Sequence, residues 1–169
     1  GKPDLRTFLM PADTIEMQDI WDVIGLRGTA SDAYEVKDRF VPAAMTSLRD
    51  DARNRVYQAP LYLYPAMTLF AIGFASVALG IAQGFLADFL AFAHGKTPRL
   101  AKSTVADNPV SQAETATAAA KISAARAYLV QETEQVWAET LATDALSVAG
   151  RARIRLAATF AIHEAKAAV

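Results

Sequence analysis

Trp21-Asp22-Val23-Ile24-Gly25-Leu26-Arg27-Gly28-Thr29-Ala30-Ser31 reads as the end of a strand running into a tight turn, and Tyr34-Glu35-Val36-Lys37-Asp38-Arg39-Phe40-Val41-Pro42 follows as its return. Two glycines bracket Arg27, so the backbone is free to turn sharply and the guanidinium has little side-chain cover. Thr29 and Ser31 add two hydroxyls. The return segment alternates as a half-buried strand does, with Tyr34, Val36 and Phe40 on one face and Glu35, Lys37 and Arg39 on the other. A strand, a Gly-Arg-Gly turn with two hydroxyls and a strand closed by Val-Pro suit the edge of a site for a phosphate-bearing cofactor.

Composition sets the outer limits. The chain has 169 residues, enough for one cored domain or parts of two. Its net charge is −1, and its 17 basic residues are scattered without a polybasic run, so neither nucleic acid nor an anionic membrane surface is expected as a partner. There are no cysteines and only two well-separated histidines, which argues against a disulfide framework and a thiolate or histidine metal site. Hydrophobic residues make up 53% of the sequence, inflated by 36 alanines, and this points to an Ala-rich helical bundle.

Two regimes separate near Pro42. Residues 1–42 read as three strands, Asp4–Met10, Glu16–Ile24 and Ala33–Phe40, with turns at Pro11-Ala12-Asp13 and Gly25–Ser31. Residues 43–59 read as a linker or short helical crossing. Residues 60–169 read as helices. The first spans Leu61 to His94 and stops at Gly95 with Pro98 beyond; Lys96–Asn108 is a loop. Ser111 and Glu114 have capping-box spacing for the second helix, whose seam would be Ala116, Ala120, Ser123, Ala127, Val130, Trp137 and Leu141. The third helix starts near Ser147 and turns Ile154, Ala158, Ala161 and Ala165 to one side. The architecture expected is α+β: the end of an antiparallel β segment followed by an up-down bundle. Three long helices with wide apolar faces call for further cover, so the chain reads as a piece of a longer protein that stops before a last helix.

From Val56 to Ala87 there is no charged residue. About 20 apolar residues suffice to span a bilayer. Interrupting Gln58, Ser76 and Gln83, the glycines 73, 80 and 84, and the lack of flanking basic clusters favour the central helix of a soluble assembly. The polar opening carries no signal-peptide pattern, and a cytoplasmic location is the expectation.

The Trp–GLRGT–S–VP wording resembles the end of the middle β-domain of the acyl-CoA dehydrogenase superfamily, and most of all its two-component flavin-dependent monooxygenases. Leu79-Gly80-Ile81-Ala82-Gln83-Gly84 is similar to the LGIAQ-type stretch in the first helix of that family's C-terminal bundle. Gln112 and Ala124-Ala125-Arg126 follow its Q…AAR spacing. The resemblance implies a flavin cofactor, FAD or FMN, with Trp21, Arg27, Thr29, Ser31, Lys96, Arg99 and Gln112 as its candidate contacts. It also implies self-association through the bundle into a homotetramer, a flavin reductase as partner, and oxygenation of an aromatic or heteroatom-containing substrate. An acyl-CoA dehydrogenase proper, desaturating acyl-CoA with FAD, is the alternative, and a non-catalytic helical oligomerisation module is a third reading.

The sequence also departs from the family pattern. Where many dehydrogenases carry Arg-x-x-Phe-Gly against a neighbouring subunit's cofactor, Lys96 stands for the Arg and Arg99 for the Phe, and a lysine does not reproduce an arginine fork. Phe70 stands where one dehydrogenase subgroup has its catalytic glutamate. In the larger subgroup the base falls beyond Val169, so no catalytic residue is assigned and the chain alone is expected to be inactive. Plainer roles stand beside the functional ones. Arg27 suits an ion pair with Asp22, Asp32 or Asp38, Thr29 and Ser31 suit turn capping, and Trp21 suits a strand core. His94 suits a helix C-terminus and His163 a surface or interface. Arg151, Arg153 and Arg155 suit a solvated face, an oligomer contact or a cofactor phosphate.

Overall fold

The computed structural model describes residues 5–48, 51 and 56–169. Asp4, the expected start of the first strand, and residues 49, 50 and 52–55 of the expected linker lie outside them. The chain divides into two compact units, Gly1–Val56 and Tyr57–Val169.

The first unit holds two short antiparallel ladders. Strand β1 (Arg6–Phe8) pairs with β4 (Thr46–Leu48), and β2 (Glu16–Gln18) pairs with β3 (Ala33–Glu35). β4 is a strand inside the stretch read as linker or helical crossing. The three expected strands exist but are shorter than their patterns. Past Gln18, the N–H groups of Ile20 and Trp21 donate to the Asp32 carboxylate at 3.1 and 3.0 Å, which takes them out of any ladder. Past Glu35, Asp38 adopts a left-handed backbone (φ 48°), which no strand tolerates. Register sets Glu16 opposite Glu35, a repulsive pair. Lys37 Nζ lies 3.1 Å from Glu35 and 3.6 Å from Glu16 and offsets that repulsion.

The second unit is a three-helix bundle: α1 (Ala66–Gly95), α2 (Pro109–Thr143) and α3 (Val148–Ala167). α1 starts five residues later than its pattern suggests. Pro65 pushes Tyr64 into extended backbone (φ −82°, ψ 123°), and residues 60–63 close a separate 3-10 turn. α2 starts on Asn108, whose side chain accepts the Val110 N–H, with Pro109 at the first helical position; Ser111 and Glu114 are not its cap. α3 is capped by Ser147, which accepts the Gly150 N–H at 2.9 Å, as expected.

Alanine makes the core. Ala75, Leu79 and Ala82 of α1 meet Ile122, Ala125 and Leu129 of α2 and Ala157, Ala158, Ala161 and Ala165 of α3. The face expected for α3 is the buried one. The seam expected for α2 is not: all seven of its residues are exposed, and Ile122, Ala125, Leu129, Val136 and Thr140 face inward instead. A second cluster joins Tyr64, Val136 and Ile154. There α3 comes so close to α2 that a Cβ on Gly150 would stand 2.9 Å from Val136 Cγ1. Arg153 of α3 ties the same two helices, its Nε donating to Glu132 and its two terminal nitrogens to Glu139 and Gln135 at 2.6–2.7 Å. Those carboxylates raise its pKa further, first through the Glu139 bond. Arg153 is therefore an internal tie and not part of a free basic face.

α1 is long and apolar enough to cross a membrane by length and composition, and only 17% of its most apolar window is buried. Phe70, Phe74, Val77, Ile81 and Phe85 form an exposed stripe at helical spacing. Gly73, Gly80 and Gly84 accompany it, and an added Cβ on any of them would meet nothing within 4 Å.

Candidate functional site

The segment from Ile20 to Asp32 forms one hydrogen-bonded turn. Asp32 holds its entry through the Ile20 and Trp21 N–H groups. The Leu26 carbonyl is its centre and accepts from Trp21 Nε1 (2.9 Å), from Thr29 Oγ1 (2.9 Å) and from the Thr29 N–H (3.2 Å). Arg27–Thr29 is a single 3-10 turn between two left-handed residues, Leu26 (φ 55°) and Ala30 (φ 43°). This corrects the role given to the glycines: neither Gly25 nor Gly28 has positive φ. The left-handed positions fall on residues with side chains, an arrangement that costs about 1–3 kcal/mol each and concentrates at functional sites.

Within this turn the structure brings Trp21, Thr29 and Ser31 into one network, with the Thr29 and Ser31 hydroxyls 2.9 Å apart. Trp21 is half-buried and pinned by its ring N–H. Arg27 is exposed and has no ion-pair partner among the described residues, and Asp32 is engaged by backbone instead. Arg27 thus offers unspent charge-assisted donors, Ser31 an exposed hydroxyl oxygen and Trp21 a fixed indole face, a combination that suits an anionic aromatic ligand. Asp32, expected from sequence only as an ion-pair partner of Arg27, instead accepts backbone N–H groups at the entry of the turn.

Lys96, Arg99 and Gln112 belong to the helical unit, around the 96–108 loop. The loop is tied: the Val105 N–H donates to the Lys96 carbonyl at 2.9 Å, and Gln112 Nε2 donates to the Ala106 carbonyl at 2.7 Å. Thr104 and Asp107 form a reciprocal capping box around the turn Val105–Asp107. The Thr104 hydroxyl, then its N–H, holds the Asp107 carboxyl below its ordinary range, with a smaller contribution from His94. That Thr-x-x-Asp spacing was legible in the sequence and was missed.

A cavity of about 320 Å³ opens between this loop and the helices, lined among others by Leu90, His94, Ala106, Ser111, Gln112 and Thr115. His94 Nδ1 donates to the Leu90 carbonyl at 2.7 Å, which fixes the ring against its own helix. Gln112 holds the loop with its amide nitrogen, and no bond to its amide oxygen is made among the described residues. Lys96 and Arg99 have exposed side chains with no ion-pair partner among the described residues.

Comparison with known proteins agrees with this architecture. The chain is 31% identical over 156 residues to an indole-3-acetate monooxygenase of Acinetobacter baumannii, covering 92% of this chain and 40% of that protein. It is 31% identical over 164 residues to the flavin-dependent monooxygenase oxygenase subunit HsaA of Mycobacterium tuberculosis, covering 92% and 41%. The crystal structure of the M. tuberculosis HsaA monooxygenase superposes with a TM-score of 0.76 at 30% identity, over 98% of this chain and 44% of that one. The chain therefore spans about two-fifths of the relatives it matches. Residues 72–169 match the family described as acyl-CoA dehydrogenase, C-terminal domain, and the chain belongs to that family.

Proposed function

We propose that this chain is the C-terminal part of the oxygenase component of a flavin-dependent monooxygenase, supplied with reduced FMN or FAD by a separate reductase. The observation that carries the reading is the Leu26-centred turn, conformationally fixed yet with Arg27 unspent, in a chain whose relatives are named as flavin-dependent monooxygenases. Bound reduced flavin would supply the electrons for inserting an oxygen atom into an organic substrate. Arg27 would bind an anionic group of the cofactor, Trp21 would cover a ring face, and Thr29 and Ser31 would orient the ring edge. Lys96, Arg99 and the amide oxygen of Gln112 would form a second contact region at the 96–108 loop. The exposed Phe70–Phe85 stripe supports self-association, with a homotetramer as the proposed state, in preference to insertion into a membrane.

The test uses the complete protein. Formation of an oxygenated product should require reduced flavin, dioxygen and an aromatic or heteroatom-containing substrate together, whereas reduction of an electron acceptor by acyl-CoA would establish the dehydrogenase instead. Arg27→Lys should weaken flavin binding about ten- to a hundred-fold, the worth of a shielded charge-assisted bond. Its melting temperature without flavin should stay unchanged; early melting with normal affinity would make the turn scaffold only.

A further inference from the structure

The hydroxyl pair in the turn has a direction. A carbonyl oxygen can only accept, so Thr29 Oγ1, 2.9 Å from the Leu26 carbonyl, gives its one proton there. Ser31 Oγ lies 2.9 Å from that same Thr29 oxygen. With the Thr29 proton already engaged, the bond between the two hydroxyls is made by the Ser31 proton. Ser31 is left with lone pairs and nothing to donate. It is exposed, and among the described residues no donor reaches its oxygen. The chain of bonds is held at its far end as well, because Trp21 Nε1 occupies the same Leu26 carbonyl and limits its freedom to turn away.

We infer that Ser31 is a specificity-determining acceptor for an N–H group of the ligand, and that Thr29 is the positioning residue that keeps it an acceptor. The inference rests on the flavin reading above and divides the labour within the turn. Arg27 meets an oxyanion, and Ser31 meets a ring N–H. A phosphate or carbonyl oxygen placed before Ser31 would set lone pair against lone pair. The isoalloxazine ring offers an N–H at N3 in both redox states and another at N5 once reduced, and either has the polarity Ser31 requires.

The experiment titrates the complete protein with FMN and its N3-methyl derivative, and anaerobically with reduced FMN and its N5-methyl derivative. The wild type should lose affinity for one of the methylated flavins. Ser31→Ala should bind FMN about three- to tenfold more weakly, and the methyl group should then cost nothing further. Thr29→Val frees the Ser31 hydroxyl to rotate but leaves its lone pairs, so it should weaken FMN binding less than Ser31→Ala does, and Thr29→Ser should restore wild-type affinity. Wild-type indifference to both methyl groups, or losses from methylation and Ser31→Ala that multiply independently, would overturn the acceptor role while leaving the flavin site in place. If Arg27→Lys and Ser31→Ala both bind FMN as the wild type does, the turn is not the flavin site and both readings fall.

Discussion

The Tyr64 hydroxyl donates to the Thr140 hydroxyl across 3.2 Å of the bundle interior. The direction follows because Thr140 Oγ1 gives its own proton to the Val136 carbonyl at 2.8 Å. Tyr64 also packs against Trp137, their ring centroids 5.9 Å apart.

An asymmetry follows for mutation. Thr140→Val removes the acceptor and strands a buried phenol proton, which should cost about 1–3 kcal/mol. Tyr64→Phe leaves Thr140 bonded to Val136 and should cost about 1 kcal/mol or less. The double variant should then recover part of the Thr140→Val loss. Chemical denaturation of the four proteins measures this, and simple additivity would disprove the pairing.

Gly150 should not accept a methyl group. A Cβ there meets Val136 Cγ1 at 2.9 Å and Ser147 Oγ at 3.2 Å, and the latter is the cap of its own helix. Gly150→Ala should destabilise by about 1–3 kcal/mol despite the better helix propensity of alanine. Gly150→Ala with Val136→Ala should relieve the clash, and thermal melts of both variants check it.

The Thr104–Asp107 box should be sensitive to acid. Asp107 has a pKa below its ordinary 3.8 in the folded chain, so its contribution is fully present above that value. The contribution disappears as pH falls through the lowered pKa. Amide exchange at Thr104 should quicken over that acidic range. In Asp107→Asn it should be faster at neutral pH and show little further response to acid.

Breaking the α1 stripe should change assembly more than folding. Phe74→Glu and Ile81→Glu place charge on exposed positions outside the buried core of the bundle. Light scattering of the complete protein should show a smaller species for each, with helical circular dichroism retained. An unchanged mass would remove the stripe from the interface.

The sequence revealed some of this organisation and concealed the rest for physical reasons. The α3 face was legible because Ile154, Ala158, Ala161 and Ala165 recur at spacings of three and four. On α2, alanines surround the axis, so no one-sided stripe exists, and the buried row sits one residue before the expected one at 122, 129, 136 and 140. That row includes Thr140, which patterning discards as polar and the structure buries because both its bonds are made. Asn108-Pro109 carried the true helix start and was passed over for Ser111. In the turn, the candidate residues were readable from their wording, but the backbone that arranges them was not. The glycines explain a tight turn, but the left-handed positions fall on Leu26 and Ala30, under the hold of Trp21, Thr29 and Asp32.

The three interior glycines of α1, Gly73, Gly80 and Gly84, have a thermodynamic consequence. Each costs roughly 1 kcal/mol of helix propensity relative to alanine, and none relieves crowding within this chain. α1 is therefore a helix whose order is partly lent by whatever covers it. If that cover is another subunit, subunit concentration enters its folding equilibrium by mass action. Dilution should then lower the melting temperature as well as the mass, and dissociation should fray α1 before α3, whose core positions are already occupied.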